Sequence, residues 1–137
     1  MRLPKYFVLA FFACLLISCV TMPNTRIKPY RVIITTELDA SQRPISDLAV
    51  VAISSKKVLI YVQWSIPAEK HDYRCIMFDA HDKEVFEDSR VINPTDNFCN
   101  TWTWHVFNSN IDAPGQWRFE VYIDGNVYLQ RTMPITE

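Results

Sequence analysis

From Gln116 to Ile123 the side chains alternate without a break. Trp117, Phe119, Val121 and Ile123 fall on one side, and Gln116, Arg118, Glu120 and Tyr122 on the other. A helix would scatter the apolar set around its circumference. Only an extended strand, with its period of two, gathers that set on one face. Asp124-Gly125-Asn126 follows and is turn-forming by composition. Val127, Leu129 and Met133 then continue the apolar set, with Arg131 as the exception. A three-residue loop sets odd positions opposite odd ones and matches the apolar faces, whereas a two-residue loop mixes them. The expectation is therefore the longer loop with a bulge.

The same period recurs upstream. Tyr30, Val32, Ile34, Thr36 and Leu38 alternate with Arg31, Thr35 and Glu37. Leu48 to Ile53 is a short apolar run, and Val58, Ile60, Val62, Trp64 and Ile66 share a face. Residues 73–79, 84–92 and 101–107 complete the series. Pro44, Pro67, Pro94 and Pro114 fall between these runs, where a missing amide donor costs no ladder bond. No helical stripe of twelve residues follows the signal segment. Seven or eight short strands imply an all-β antiparallel sandwich or barrel, with Trp64, Trp102, Trp104 and Trp117 expected to fill much of its core.

The amino terminus obeys a different rule. Arg2 and Lys5 precede a run from Tyr6 to Ile17 that is almost wholly apolar, and no acidic residue occurs before Glu37. The run is shorter than the ~20 residues of a spanning helix and has the form of a secretory signal. Leu16-Ile17-Ser18-Cys19 resembles the lipobox of bacterial lipoproteins. That resemblance implies cleavage before Cys19, a diacylglycerol thioether on its sulfur and an acylated amine, with chains such as palmitate. Two or three chains suffice for stable anchoring at ~0.8 kcal/mol per buried methylene. Val20 stands where aspartate resembles an inner-membrane retention signal, so the expected address is the outer membrane. The resulting division is a signal peptide at 1–18, a lipidated cysteine and tether at 19–29, and a domain at 30–137. Fully extended, the tether could reach about 30 Å.

Removing residues 1–18 from the 137 leaves 119, a normal size for one domain, with twelve basic and fifteen acidic residues. No basic run and a formal charge of −3 argue against a nucleic-acid partner. Of four cysteines, Cys14 leaves with the signal and Cys19 takes the lipid. Cys75 and Cys99 remain; in an oxidising envelope they are expected to form a disulfide.

The segment from Gly115 to Gly125 resembles the last hairpin of immunoglobulin-like sandwiches in bacterial envelope proteins, often Gly-x-Trp-x-Val-x-Val-x-x-Asp-Gly. The resemblance implies an immunoglobulin-like β-sandwich.

Catalytic motifs are scarce. The two glycines, Gly115 and Gly125, both lie in turns, which excludes a Gly-rich phosphate loop and a glycine-flanked nucleophilic serine. His71-Asp72 and His81-Asp82 flank one strand, about 30 Å apart at ~3.3 Å per residue, too far to share a metal; both read as solvated turn residues. His105 lies on the face opposite Trp104 and Val106 and reads as partly exposed or hydrogen-bonded. Glu69, Asp79, Asp82, Glu84, Glu87 and Asp88 lack calcium-loop spacing and read as a solubilising surface. No catalytic residue, metal ligand or cofactor site is assigned.

Binding surfaces are what remain. Tyr122 and Tyr128 are expected outward on the last hairpin, directly across from each other, and Tyr61 and Phe107 on faces away from the core. Aromatic side chains are enriched at interfaces. The leading expectation is a lipid-anchored, non-enzymatic envelope protein that binds another protein, as an accessory subunit of an envelope or secretion assembly. The alternatives are a periplasmic inhibitor of a host hydrolase such as lysozyme, working through a protruding loop at Asn93 to Asn97, or a small-ligand carrier with an apolar cavity.

Overall fold

The computed structural model describes residues 22–137; the expected signal segment at 1–18, with Cys14, and the expected lipid site Cys19 lie outside the described residues. Eight strands follow: β1 (Lys28–Thr35), β2 (Val51–Ala52), β3 (Lys57–Ser65), β4 (His71–Phe78), β5 (Glu84–Ile92), β6 (Phe98–Val106), β7 (Gly115–Ile123) and β8 (Asn126–Thr136). They form a three-stranded sheet in the order β1-β3-β6 and a five-stranded sheet in the order β2-β8-β7-β4-β5. Every pairing is antiparallel except the two-residue β2–β8 pair, which is parallel.

The core lies between the sheets. Val58, Ile60, Val62 and Trp64 of β3 face Tyr73, Cys75 and Met77 of β4 and the Trp117–Ile123 set of β7, all buried in one cluster. The alternation in β7 is thus what the fold uses. The body begins earlier than position 30. Ile27 is buried in the core, and the Asn24 amide donates to the Tyr128 hydroxyl at 2.5 Å.

Strand β6 runs opposite to expectation. Trp64 and Trp117 are fully buried, but Trp102 is only half-buried and Trp104 is 49% exposed. The inward positions belong to Thr101, Thr103 and His105, all buried. Each inward polar group is satisfied, which makes its burial tolerable. The Trp64 indole donates to Thr101 Oγ1 at 2.8 Å. Thr103 Oγ1 lies 2.9 Å from both the Tyr73 hydroxyl and Asp88 Oδ2. His105 Nε2 lies 2.8 Å from Asp112 Oδ2, with Phe86, Phe107 and Trp117 around its ring.

The last hairpin matches its apolar faces by another device. Ile123 pairs with Asn126, so the loop is the two residues Asp124 and Gly125, both with positive φ. That is the backbone of a tight hairpin turn. The register then shifts between Val121 and Tyr122: Tyr122 opposes Val127, while Val121 opposes Leu129. Tyr128 is the extra residue, a bulge that returns odd positions to odd ones. The bulge was expected; the three-residue loop was not needed.

The expected disulfide is absent: Cys75 and Cys99 are free thiols. Both point into the sandwich, but at different heights. Cys75 sits within hydrogen-bonding reach of Thr103. Cys99 lies four positions before Thr103 in β6, about 13 Å along the strand at ~3.3 Å per residue, whereas a disulfide needs Cα atoms within about 7 Å. Burial pushes the Cys75 thiol up to about 12, although the Tyr73 and Thr103 hydrogen bonds work against that rise. Such a thiol is inert.

Candidate functional site

The inversion of β6 gives the three-stranded sheet an aromatic outer face. Its rows follow from strand register. Arg31, Gln63 and Asn100 lie side by side across the three strands. Ile33, Tyr61 and Trp102 form the next row, then Thr35, Leu59 and Trp104, and Lys57 beside Val106 closes the end. A polar row of donors therefore passes into an aromatic and aliphatic middle and ends at a lysine.

A loop shapes this face into grooves. Leu38 bridges Pro44, and Asp39 closes the turn between them: its carboxylate accepts from the Ser41 and Arg43 amides at 2.8 and 3.0 Å. The Asp39 amide also donates to the Arg43 carbonyl at 2.8 Å, and Gln42 takes positive φ at the tip. The turn rests on the sheet and leaves a groove of about 610 Å³ on one side, floored by Tyr61 and Trp102 and bordered by Arg31, Arg43, Gln63 and Asn100. On the other side a groove of about 500 Å³ runs past Lys57, Leu59, Trp104 and Val106. Gln42 and Trp102 line both.

Charge divides the two sheets. Strands β1, β3 and β6 carry Lys28, Arg31 and Lys57 and no carboxylate. The five-stranded sheet carries five carboxylates with four arginines, and three of those arginines are paired. Arg74 Nε lies 2.7 Å from Glu87, Arg90 lies 3.1 Å from Asp88, and Arg118 bonds both Glu120 and Asp82. Arg118 also stacks on Phe78, its guanidinium carbon 4.2 Å from the ring centroid. That face neutralises itself. Among the described residues, Arg31, Arg43 and Lys57 form no ion pair.

The four aromatics expected as a binding surface are dispersed. Tyr61 is outward but 3% exposed, because the 38–44 turn and Trp102 cover it. Phe107 packs edge-on against Trp117 at the end of the core. Tyr128 packs half-buried against the core, held by Asn24, and does not oppose Tyr122. Tyr122 also lies on its expected outward face, half-buried, donating to Glu120 at 2.6 Å beneath Arg74. Sequence reasoning missed Trp102 and Trp104. The available signal was the unbroken apolar run Val58 to Val62 in β3, which marks a strand covered on both faces.

Two of the three histidines are buried and bonded to aspartates, His71 to Asp124 and His105 to Asp112. His71 is buried rather than solvated, its Nδ1 2.7 Å from Asp124 and its Nε2 3.0 Å from the Pro67 carbonyl. His81 lies in an exposed turn closed by Asp79. Among the described residues no group of three His, Cys, Asp or Glu side chains is placed to hold a metal ion, and no helix is long and apolar enough to cross a membrane. The 93–97 segment does not protrude freely. Pro94 is buried, and Asn97 accepts from the Ile66 amide through its carbonyl and from the Ala68 amide through its side chain.

No protein-family model matches the sequence, and no curated protein sequence matches it. Solved structures do match the fold. One is an immunoglobulin-like protein from Pseudomonas aeruginosa, with 10% identity and a TM-score of 0.54, covering 82% of this chain and 99% of its own. Another is an alkylpurine DNA glycosylase of Pseudomonas fluorescens bound to DNA with an abasic site analogue, with 8% identity and a TM-score of 0.53. That match covers 84% of this chain but only 32% of the glycosylase. At such identities the likeness is one of fold alone. The chain folds as an immunoglobulin-like β-sandwich of eight strands.

Proposed function

We propose that this chain is a lipid-anchored, non-enzymatic bacterial envelope protein that binds another protein through the outer face of β1-β3-β6. The anchor rests on the lipobox-like Leu16-Ile17-Ser18-Cys19, with the outer membrane as its address. The binding role rests on one observation: Phe98, Trp104 and Val106 stand 43%, 49% and 62% exposed on one strand face, beside cations without ion-pair partners. Exposed tryptophan in a concave polar-rimmed surface is the composition of an interaction hot spot.

Photo-crosslinking in living cells tests this reading. Benzoylphenylalanine placed at position 104 of the full-length protein should give discrete adducts with one envelope protein. The same group at position 130, on the five-stranded sheet, should give none. Adducts from position 104 to phospholipid or to a second copy of the chain, or no adducts at all, would overturn it.

A further inference from the structure

We infer that the two grooves flanking the 38–44 turn take one extended, acidic segment of the partner, with apolar side chains on Trp102 and Trp104 and carboxylates at the Arg31 and Lys57 ends. This rests on the protein-binding reading and deepens it by naming the chemistry of the partner.

Register fixes the layout. Gln63, in the Arg31 row, and Lys57, at the far end, are six positions apart in β3, about 20 Å at ~3.3 Å per residue. Between them lie two rows in which Ile33, Thr35, Leu59 and Tyr61 are buried, and Trp102 and Trp104 reach the surface. Cations thus sit at both ends of a surface on which Trp102 and Trp104 stand, and Arg43 and Gln42 lean in from the turn. None of the residues lining either groove is a carboxylate.

Charge selects the occupant. An anionic segment gains attraction at each end and leaves no buried cation unmatched, whereas a basic segment would meet repulsion and find no acceptor carboxylate. The Gln63 and Asn100 amides add neutral donors and acceptors for a peptide backbone. Aromatic-lined grooves suit an extended proline-containing chain, whose conformational entropy is already low. Such a chain rises ~3.1 Å per residue, so two acidic residues six positions apart span about 19 Å. The surface and the ligand agree in length.

The test uses a fluorescein-labelled peptide with two glutamates at each end and Pro-Leu-Pro-Leu-Pro between them, titrated by anisotropy against full-length protein in detergent micelles. Saturable binding is expected, weakened by salt. The same peptide with lysines in place of glutamates should bind at least about tenfold more weakly, a difference of ~1.4 kcal/mol. Arg31→Glu and Trp104→Ala should each reduce affinity by a similar factor while leaving the circular dichroism spectrum unchanged. Equal binding of the two peptides, or no binding of either, would overturn the inference, and this comparison needs no variant to fold. If position 104 still crosslinks an envelope protein in that case, only the acidic-segment inference falls; if it crosslinks none, both readings fall.

Discussion

Asp124, in the turn between β7 and β8, grips His71 at the head of β4, with Oδ2 2.7 Å from the imidazole Nδ1. Its other oxygen accepts from the Asp72 amide at 2.9 Å, and its own amide donates to the Asp72 carbonyl at 2.9 Å. One carboxylate thereby fastens the last hairpin to the strand beside it. The other His71 nitrogen faces the Pro67 carbonyl, so both ring nitrogens meet acceptors and the site favours the charged imidazolium. Burial opposes that charge, but the bonds to Asp124 and Pro67, with the fields of Asp124 and Glu69, outweigh it and raise the pKa above 6.5.

A raised folded-state pKa has a definite sign. The stabilisation is complete below the unfolded value near 6.5 and is lost as pH rises through the folded value. The melting temperature should therefore be higher at about pH 6 than at about pH 8. His71→Gln should flatten this dependence. Thermal melts of the two proteins across that range check it; an equal slope in both would remove His71 as the cause.

Gly115 should resist substitution. A Cβ there would sit 2.5 Å from the Ala80 Cβ, and its φ of +142° is one that other residues rarely adopt. Gly115→Ala should destabilise by about 1–3 kcal/mol through overpacking, with backbone strain added. Combining it with Ala80→Gly should recover the steric part only. Urea unfolding of the single and double variants measures both contributions.

The thiols should behave as unpaired. In the folded protein Cys75 should resist iodoacetamide at neutral pH, since burial holds its pKa at about 12. Cys99, half-buried, should be alkylated slowly, and both should label fully in guanidinium. Peptide mass spectrometry without reductant should find no Cys75–Cys99 cross-link. Cys99→Ser should then cost far less than the roughly 3 kcal/mol that loss of a bridge of this loop size implies.

Thr103 is the hub of the buried polar line in β6. Thr103→Val would keep the shape but remove the 2.9 Å partner of the Tyr73 hydroxyl, leaving it Thr101 and the Cys75 thiol, and would free Asp88 from one of its bonds. Loss of one such buried hydrogen bond costs about 0.5–1.5 kcal/mol. Denaturant unfolding should show that loss, and Tyr73→Phe in the same background should restore part of it.

Strand positions and the inward face of β7 were legible in the sequence, because period two with a dense apolar set has one solution. β6 was not. In Asn100-Thr101-Trp102-Thr103-Trp104-His105 either face can be buried, and hydrophobicity alone favours burying the tryptophans. What decided otherwise was the hydrogen-bonding partners offered by Trp64, Tyr73, Asp88 and Asp112, which are remote in sequence and visible only once the sheets are stacked. The binding face was misread for the same reason. The cysteine pairing failed on height along the strand, a quantity that compartment and count do not contain.

The docking of Ile27 and Asn24 onto the body shortens the leash. Five peptide links separate Cys19 from Asn24, at most about 18 Å at ~3.6 Å each. If Cys19 carries the lipid proposed above, the amino-terminal end of the domain would ride close against the headgroups. On that proposal the bilayer would lie within this short radius of Asn24, and a partner seated in the same membrane would already be near the domain.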